Sequence, residues 1–224
     1  MRIVSWNCAM GFAKKRALVE ALKPDIAILA ETSQRHIAET EATFKAWVGS
    51  NPHKGLGVIG FTNRSYMLHE ADALLPWHIP FTVDGLNIIG LWAHVRDKDL
   101  KYVRVTHEIV SRHADFLTSA PSLIIGDFNS NTVWDREHPG RNHSMLVERL
   151  QGLGLQSVYH RANGDAHGAE TSKTYFHTKR LHFGHHIDYA FLSEACRGSL
   201  AIGNHEDWLK YSDHMPLILD IVEP

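Results

Sequence analysis

Several apolar runs in this chain begin or end on a residue that can do chemistry. RIVSWN (2–7) stops on Asn7, DIAILAE (25–31) on Glu31 and LNIIGLWAH (86–94) on His94. SLIIGDFN (122–129) stops on Asp127 and Asn129. HHID places Asp188 at the head of an apolar run, and YSDHMPLILDI places Asp213 and His214 just before one. Any single case is explained by a plain turn, because Asn, Asp and Gly are turn residues. Repetition at so many strand ends calls for more. Strand ends on one side of a sheet converge, and several carboxylates meeting there would repel unless a cation sat among them. Hard carboxylate and amide oxygens with no paired cysteines suit Mg²⁺ or Mn²⁺ rather than structural zinc. An Asp can then act as base towards water, an imidazole beside a carboxylate can hold a phosphoryl group, and an Asn amide can donate to a phosphate oxygen. Together these groups read as a site for phosphoester hydrolysis.

The elements that must position them are strands for the most part. RIVSWNC (2–8), DIAILAE (25–31), GLGVIGF (55–61), LNIIGLWAHV (86–95), the run from Ser122, HIDYAFLS (186–193) and MPLILDIV (215–222) read as strands. Residues 13–23 read as a helix with Ala17, Leu18, Ala21 and Leu22 inward, stopped by Pro24. Residues 102–120 contain a second helix with Val105, Ile109, Phe116 and Leu117 inward; Tyr102 begins it and reads as a packing residue. Residues 143–154 form a third, ending in Gly. No helix interrupts 55–95, so a purely parallel doubly wound sheet is excluded. The expectation is an α+β fold, mixed sheets covered by outer helices, in a single domain over 1–224.

Composition bounds the partners. The 224 residues carry a net charge of −2 with His neutral, so a polyanion must be gripped locally rather than by overall charge. The 17 His would make the surface charge strongly pH-dependent just below neutrality. No apolar run is long enough for a membrane span, and MRIVSWNCAM reads as a first strand rather than a signal peptide. A cytoplasmic, monomeric protein with Cys8 and Cys196 reduced is expected.

The motifs WNC with Asn7, AET with Glu31, GDFN with Asp127 and Asn129, HIDY with Asp188 and SDHMPL with Asp213 and His214 occur in one order along the chain. In that order they resemble the endonuclease/exonuclease/phosphatase superfamily, of the exonuclease III and deoxyribonuclease I type. The resemblance implies a four-layer α/β sandwich, two mixed β-sheets face to face with helices outside. It also implies a Mg²⁺-dependent hydrolase of P–O bonds. On that footing Glu31 is the principal metal ligand with Asn7 beside it, and Asp213 contributes to the metal site or orients an imidazole. Asp127 activates the attacking water and Asn129 binds phosphate. Asp188 supports His214, which contacts the scissile phosphate. His94 stands where deoxyribonuclease I-like and phosphatase-like members carry a His, as a general acid or phosphate ligand. The tyrosine-bearing segment of the exonuclease III branch has no clear counterpart near 95–105.

Substrate contacts are expected from Arg141 and Trp134 and from the segment KTYFHTKRLHFGHH, which includes Lys173 and Arg180. Its interleaved basic and aromatic residues suit a nucleic acid, DNA first. Cleavage of DNA, as exonuclease or endonuclease, is the leading reading. A phosphatase or lipid-headgroup phosphodiesterase is the second, and a non-catalytic binding module the third.

Overall fold

The apolar runs form two sheets, and their pairing decides which chain ends meet. The computed structural model describes residues 1–71, 75, 77–94 and 102–222. In chain order the strands are β1 (Arg2–Asn7), β2 (Ile26–Thr32), β3 (Phe44–Asn51), β4 (Lys54–Gly60), β5 (Tyr66–Leu68), β6 (His78–Val83) and β7 (Leu86–Trp92). They continue with β8 (Ser122–Asp127), β9 (Leu155–Ser157), β10 (Tyr175–Phe176), β11 (Gly184–His185), β12 (Asp188–Ser193), β13 (Arg197–Ile202) and β14 (Leu217–Val222). The helices are α1 (Arg16–Ala21), α2 (Gln34–Ala38), α3 (Tyr102–Arg112), α4 (Ala114–Ser119), α5 (His143–Gly152), α6 (Val158–Asn163) and α7 (His205–Trp208).

One six-stranded sheet runs β13-β14-β1-β2-β4-β3 and the other β5-β6-β7-β8-β12-β9. Each is mixed: β1 pairs β2 in parallel and β7 pairs β8 in parallel, while the remaining neighbours are antiparallel. The sheets face one another across a core that includes Ile3, Ile28 and Val58 from one and Phe81, Ile88, Leu123 and Leu192 from the other. Outside, α3 and α5 pack on the second sheet through Val105, Ile109, Leu146 and Leu150. Val19 of α1 and Ile37 of α2 cover the first sheet, beside Val4, Ala27 and Leu29. This is the expected four-layer sandwich. Strands β2, β7 and β8 are covered on both faces, which is why they read as unbroken apolar runs. The edge strand β13 alternates half-buried and exposed residues instead. Burial of each large apolar side chain in this core contributes about 1.5–3 kcal/mol.

Two helices differ from the reading of the sequence. A 3₁₀ turn at Phe12–Lys14 delays α1 and rotates its face. Val19, with Phe12, then becomes the core residue, while Ala17 and Ala21 are exposed. The 102–120 helix is two helices, because His113 leaves helical geometry (φ −103°, ψ 17°). Tyr102 is not a packing residue; it is 44% exposed. Both cysteines are free thiols, Cys8 buried and Cys196 half-buried. No helix of the described residues is long and apolar enough to cross a membrane.

Candidate active site

The first sheet brings two groups to the site. Parallel pairing sets Asn7 beside Ala30, so Glu31 lies one residue past that pair. A register shift between Ala30 and Thr32 marks a bulge, and Glu31 sits in it with φ 59°. A bulge re-aims a side chain that strict alternation would send elsewhere. A left-handed non-glycine residue costs on the order of 1–3 kcal/mol, which the surrounding ladder must hold in place. The Asn7 amide nitrogen is 3.5 Å from Glu31 Oε1, and Lys54 Nζ is 3.2 Å from Glu31 Oε2.

The second sheet brings the other acids. Antiparallel pairing of β8 and β12 sets Asp127 directly opposite Asp188. Gly126 is required just before Asp127: a Cβ there would lie 1.8 Å from the Leu91 carbonyl oxygen. Beyond the strand the chain turns sharply at Asn129, φ 47°. The Asn129 backbone N–H donates to Asp127 Oδ1 (2.9 Å), and its side-chain amide donates to Asp127 Oδ2 (3.1 Å) and the Ala93 carbonyl (3.0 Å). Asn7 reaches across from the first sheet and donates to Asp127 Oδ2 at 3.1 Å. The strand that ends in Gly-Asp-Phe-Asn therefore delivers its carboxylate and amide to the seam between the sheets.

His214 closes the site from the segment before β14. Its Nδ1 lies 3.0 Å from Asp188 Oδ2, and its Nε2 lies 3.9 Å from Asp127 Oδ2. Ser212 Oγ accepts from the His214 backbone N–H and donates to the Asn7 carbonyl, while Trp6 donates to the His214 carbonyl. Asp127, Asp188 and His214 are all buried, and a ligand atom from each lies within 4.8 Å of the others. Burial raises the Asp127 carboxyl; His214 opposes that and Asp188 adds to it. Burial by itself would lower His214, but the charges of Asp188 and Asp127 and the Asp188 hydrogen bond reverse this and hold it well above an ordinary imidazole. The cationic form of the imidazole is thus favoured between two acids, and it can donate to an anion from Nε2.

The donor set fits a hard divalent cation. Glu31 offers carboxylate oxygens beside the Asn7 amide and the Asp127 carboxylate, and the one nearby thiol, Cys8, faces the Ala30 and Glu31 carbonyls. Oxygen donors of this kind select Mg²⁺ or Mn²⁺ over softer ions. Asn7 Oδ1 accepts from the Ala9 N–H, so its amide nitrogen is the atom that steadies the two carboxylates. Turned over, the same amide would offer Oδ1 to that space.

The other expected residues fall in different places. His94 stacks on Trp92 at 4.4 Å. Burial lowers its pKa, Lys54 adds to that and Glu31 opposes it, so it belongs on the Glu31 side. Asp213 is half-buried, and its charge helps raise His214. Trp134 packs on His185 at 4.8 Å and lines a small cleft with Tyr102, Asn129 and His138. Arg141 pairs with Glu108 on α3, Lys173 donates to the Glu170 carbonyl, and Arg180 is exposed on the turn between β10 and β11.

Four further contributors are not among the expected site residues, although Ser212 lies within SDHMPL. Lys54 pairs with Glu31, Ser212 ties His214 to β1, and Thr174 Oγ1 accepts from the backbone N–H groups of Ile187 and Asp188. Tyr175 bridges His214 in backbone pairing, with the rings 4.7 Å apart. Tyr175 is one of several ring-bearing residues in a basic loop, and nothing local distinguishes it.

A four-layer sandwich with an acid–imidazole cluster at one end of its facing sheets defines a class of phosphoester hydrolases. The chain matches the Endonuclease/Exonuclease/phosphatase family over residues 4–214 and belongs to it. Solved structures share the fold at low identity. A 3′ phosphatase from Neisseria, NExo, bound to product DNA hairpin, superposes with a TM-score of 0.74 at 16% identity, covering 100% of both chains. The 3′-5′ exonuclease NExo from Neisseria meningitidis gives 0.72 at 16% identity, again over 100% of both chains. An AP endonuclease from Archaeoglobus fulgidus gives 0.69 at 14%, with 100% of both chains covered. No curated protein sequence matches the chain.

Proposed function

We propose that this chain is a Mg²⁺- or Mn²⁺-dependent phosphodiesterase that hydrolyses DNA. The observation that carries the reading is the meeting of Asn7 and Glu31 from one sheet with Asp127, Asn129 and Asp188 from the other, closed by His214. A divalent ion held by Glu31, with Asn7 and Asp213 beside it, would neutralise phosphate charge and stabilise the leaving oxygen. His214, kept cationic by Asp188, donates from Nε2 to a phosphate oxygen. Asp127 lies 3.9 Å across from that nitrogen and accepts the proton of the attacking water. Hydrogen bonds from Asn7 and Asn129 fix both Asp127 oxygens, so the carboxylate needs no reorganisation when charge develops. The Asn129 amide is committed to Asp127 and the Ala93 carbonyl, and the ring of His94 lies on the Glu31 side of the site.

DNA is favoured by the ribbon of β10 and β11. It presses Tyr175 against His214 and carries exposed Lys179, Arg180, Leu181 and Phe183 at its turn. Basic side chains for the backbone and rings for bases suit a single-stranded or frayed end. Trp134 and Tyr102, beside Asn129, extend that surface. Removal of a terminal phosphate from DNA is the second reading, supported by the likeness to the Neisseria 3′ phosphatase.

The test incubates the wild type, Glu31→Ala and His214→Ala with end-labelled single- and double-stranded DNA, with Mg²⁺, Mn²⁺ or chelator. A 3′-phosphorylated duplex and small phosphoesters run in parallel. Metal-dependent shortening of DNA that both substitutions abolish is the expected result. Intact strands with release of inorganic phosphate from the 3′-phosphorylated duplex move the assignment to the phosphatase reading. Hydrolysis of small esters alone overturns DNA as substrate.

A further inference from the structure

Strand alternation sends Tyr189 to the face of β12 opposite Asp188, and on that face imidazoles crowd around one buried carboxylate. His160, His167 and Glu170 offer ligand atoms that all lie within 4.8 Å of one another. His160 Nε2 is 3.3 Å from Glu170 Oε1. That separation is about the edge of a tetrahedron whose metal–ligand bonds are ~2.0–2.1 Å. The His160 and His167 rings are stacked, 3.5 Å apart and 17° from parallel, so one ring must turn for both lone pairs to converge on an ion; His186 lies 5.8 Å from His160 and His143 5.6 Å from His167.

The hydrogen bonds around the cluster sort its nitrogens into two sets. The outer nitrogens are engaged: His160 Nδ1 with Ser157 Oγ (2.7 Å), His143 Nδ1 with Ser130 Oγ (2.9 Å) and His186 Nδ1 with the Ser172 carbonyl (2.8 Å). The nitrogens left over, Nε2 of His143, Nε2 of His186 and Nδ1 of His167, are buried without a hydrogen-bond partner. His143 and His186 are each 1% exposed, so bulk solvent does not reach them. A carbonyl only accepts, so His186 Nδ1 carries the proton and its Nε2 presents a lone pair. Buried orphan atoms of this kind demand a reason. An imidazole pinned at one nitrogen with the other free is how proteins present histidine to a metal. Glu170 is itself fixed by Asn131 Nδ2 (3.1 and 3.2 Å) and the Gly168 N–H (3.0 Å).

We propose that His160, His167 and Glu170 form a Zn²⁺ site separate from the catalytic acids. Imidazole donors with a single carboxylate suit Zn²⁺, whereas the oxygen set around Glu31 does not. The site joins α6, which carries His160, to the segment carrying His167 and Glu170. Asn131, two residues past Asn129, donates to Glu170, the His186 carbonyl and Tyr189 Oη, so the same ion braces both acid-bearing strands from behind. Its role is structural.

The experiment measures metal in untagged protein purified without chelator and dialysed, by elemental analysis. The protein is then stripped with chelator and titrated with Zn²⁺ or Co²⁺ while thermal unfolding and visible absorption are followed. Expected are one Zn²⁺ retained per chain, a melting temperature that falls on stripping and recovers with Zn²⁺, and the visible bands of tetrahedral Co²⁺. His167→Ala and Glu170→Gln lose the bound ion and the Co²⁺ bands, while Glu31→Ala keeps both. His167 is only half-buried, so that variant is the one best placed to fold, as far-ultraviolet circular dichroism will verify. A wild type with no retained zinc, no tetrahedral Co²⁺ spectrum and no thermal response overturns the site. So does zinc that survives in His167→Ala and disappears in Glu31→Ala.

Discussion

Two clusters lie against opposite faces of β12 and use the same side-chain types in opposite proportion. On one face, His214 stands between two carboxylates, Asp127 and Asp188, and is held cationic. On the other face, Glu170 stands among His143, His160, His167 and His186. There burial, then the nearby imidazoles, lower His143 to about 3 and His167 to about 4. Burial would raise Glu170, but the His160 hydrogen bond and neighbouring N–H donors bring it down to about 2. The lesson concerns count rather than identity. Two acids around one imidazole favour its cation; around a single acid, burial favours the neutral form of His143, His167 and His186.

The contrast is tested most severely at the acid-rich face. Asp188→Asn and His214→Ala should each lower kcat for DNA cleavage by about 10³-fold, near 4 kcal/mol of lost transition-state stabilisation. Near-native turnover in either variant would remove His214 from the chemistry. Next comes the backbone that feeds this face. Gly126→Ala forces a Cβ against the Leu91 carbonyl, so a loss of about 3 kcal/mol or more in unfolding free energy is expected from denaturant titration. An unchanged midpoint would show that β7 and β8 can separate without cost.

The imidazole-rich face has a pH signature in chelator-treated protein. A free imidazole titrates near ~6.5. As pH falls from there towards the folded values of about 4 and about 3, the unfolded chain takes up protons that folded His167 and His143 do not. Stability must therefore fall on acidification, by at most about 1.4 kcal/mol per pH unit for each imidazole. His214 acts in the other direction. Its raised pKa gives stability that is fully present below ~6.5 and is lost as pH rises through the folded value. Denaturant midpoints measured across pH will show both limbs, and a flat acid limb would sink the account of the cluster. The smallest effect belongs to Lys54, whose pairing with Glu31 is partly exposed. Lys54→Ala should cost under about 1 kcal/mol of stability. It should shift the Mg²⁺ dependence of cleavage a few-fold, since it frees Glu31 Oε2 from a competing cation. A shift beyond 10-fold would make Lys54 part of the metal site.

The acids were legible because a strand ending on a carboxylate or amide is visible locally, and five such motifs in order point to one family. Asn7, Glu31, Asp127, Asp188 and His214 do converge. The residues that hold them were not legible. Thr174 and Lys54 act through contacts 13 or more residues away, and nothing in their own neighbourhoods marks them; Ser212 lies within SDHMPL, but its bond to Asn7 spans 205 residues. The histidines misled for a related reason. Their number suggested a surface that titrates near neutrality, but His78, His107, His143, His186 and His214 are buried. Burial lowers His107, His143 and His186, and only the packed structure separates them from exposed ones. The face of α1 was misjudged because a 3₁₀ turn before it is too short to announce itself.

The pairing of β1 with β14 has a consequence for timing. A ribosome producing this chain releases Asn7, Glu31, Asp127 and Asp188 well before His214, and β14 is the last strand to find its neighbours. Until β14 slots between β13 and β1, the imidazole has no fixed address opposite Asp127. A nascent or fragmented chain therefore carries the acids without the cation, and hydrolysis switches on only when the first sheet is finished. Two complementary fragments cut between β4 and β5 would split the first sheet, β1–β4 from β13 and β14, and would regain activity only on reassembly.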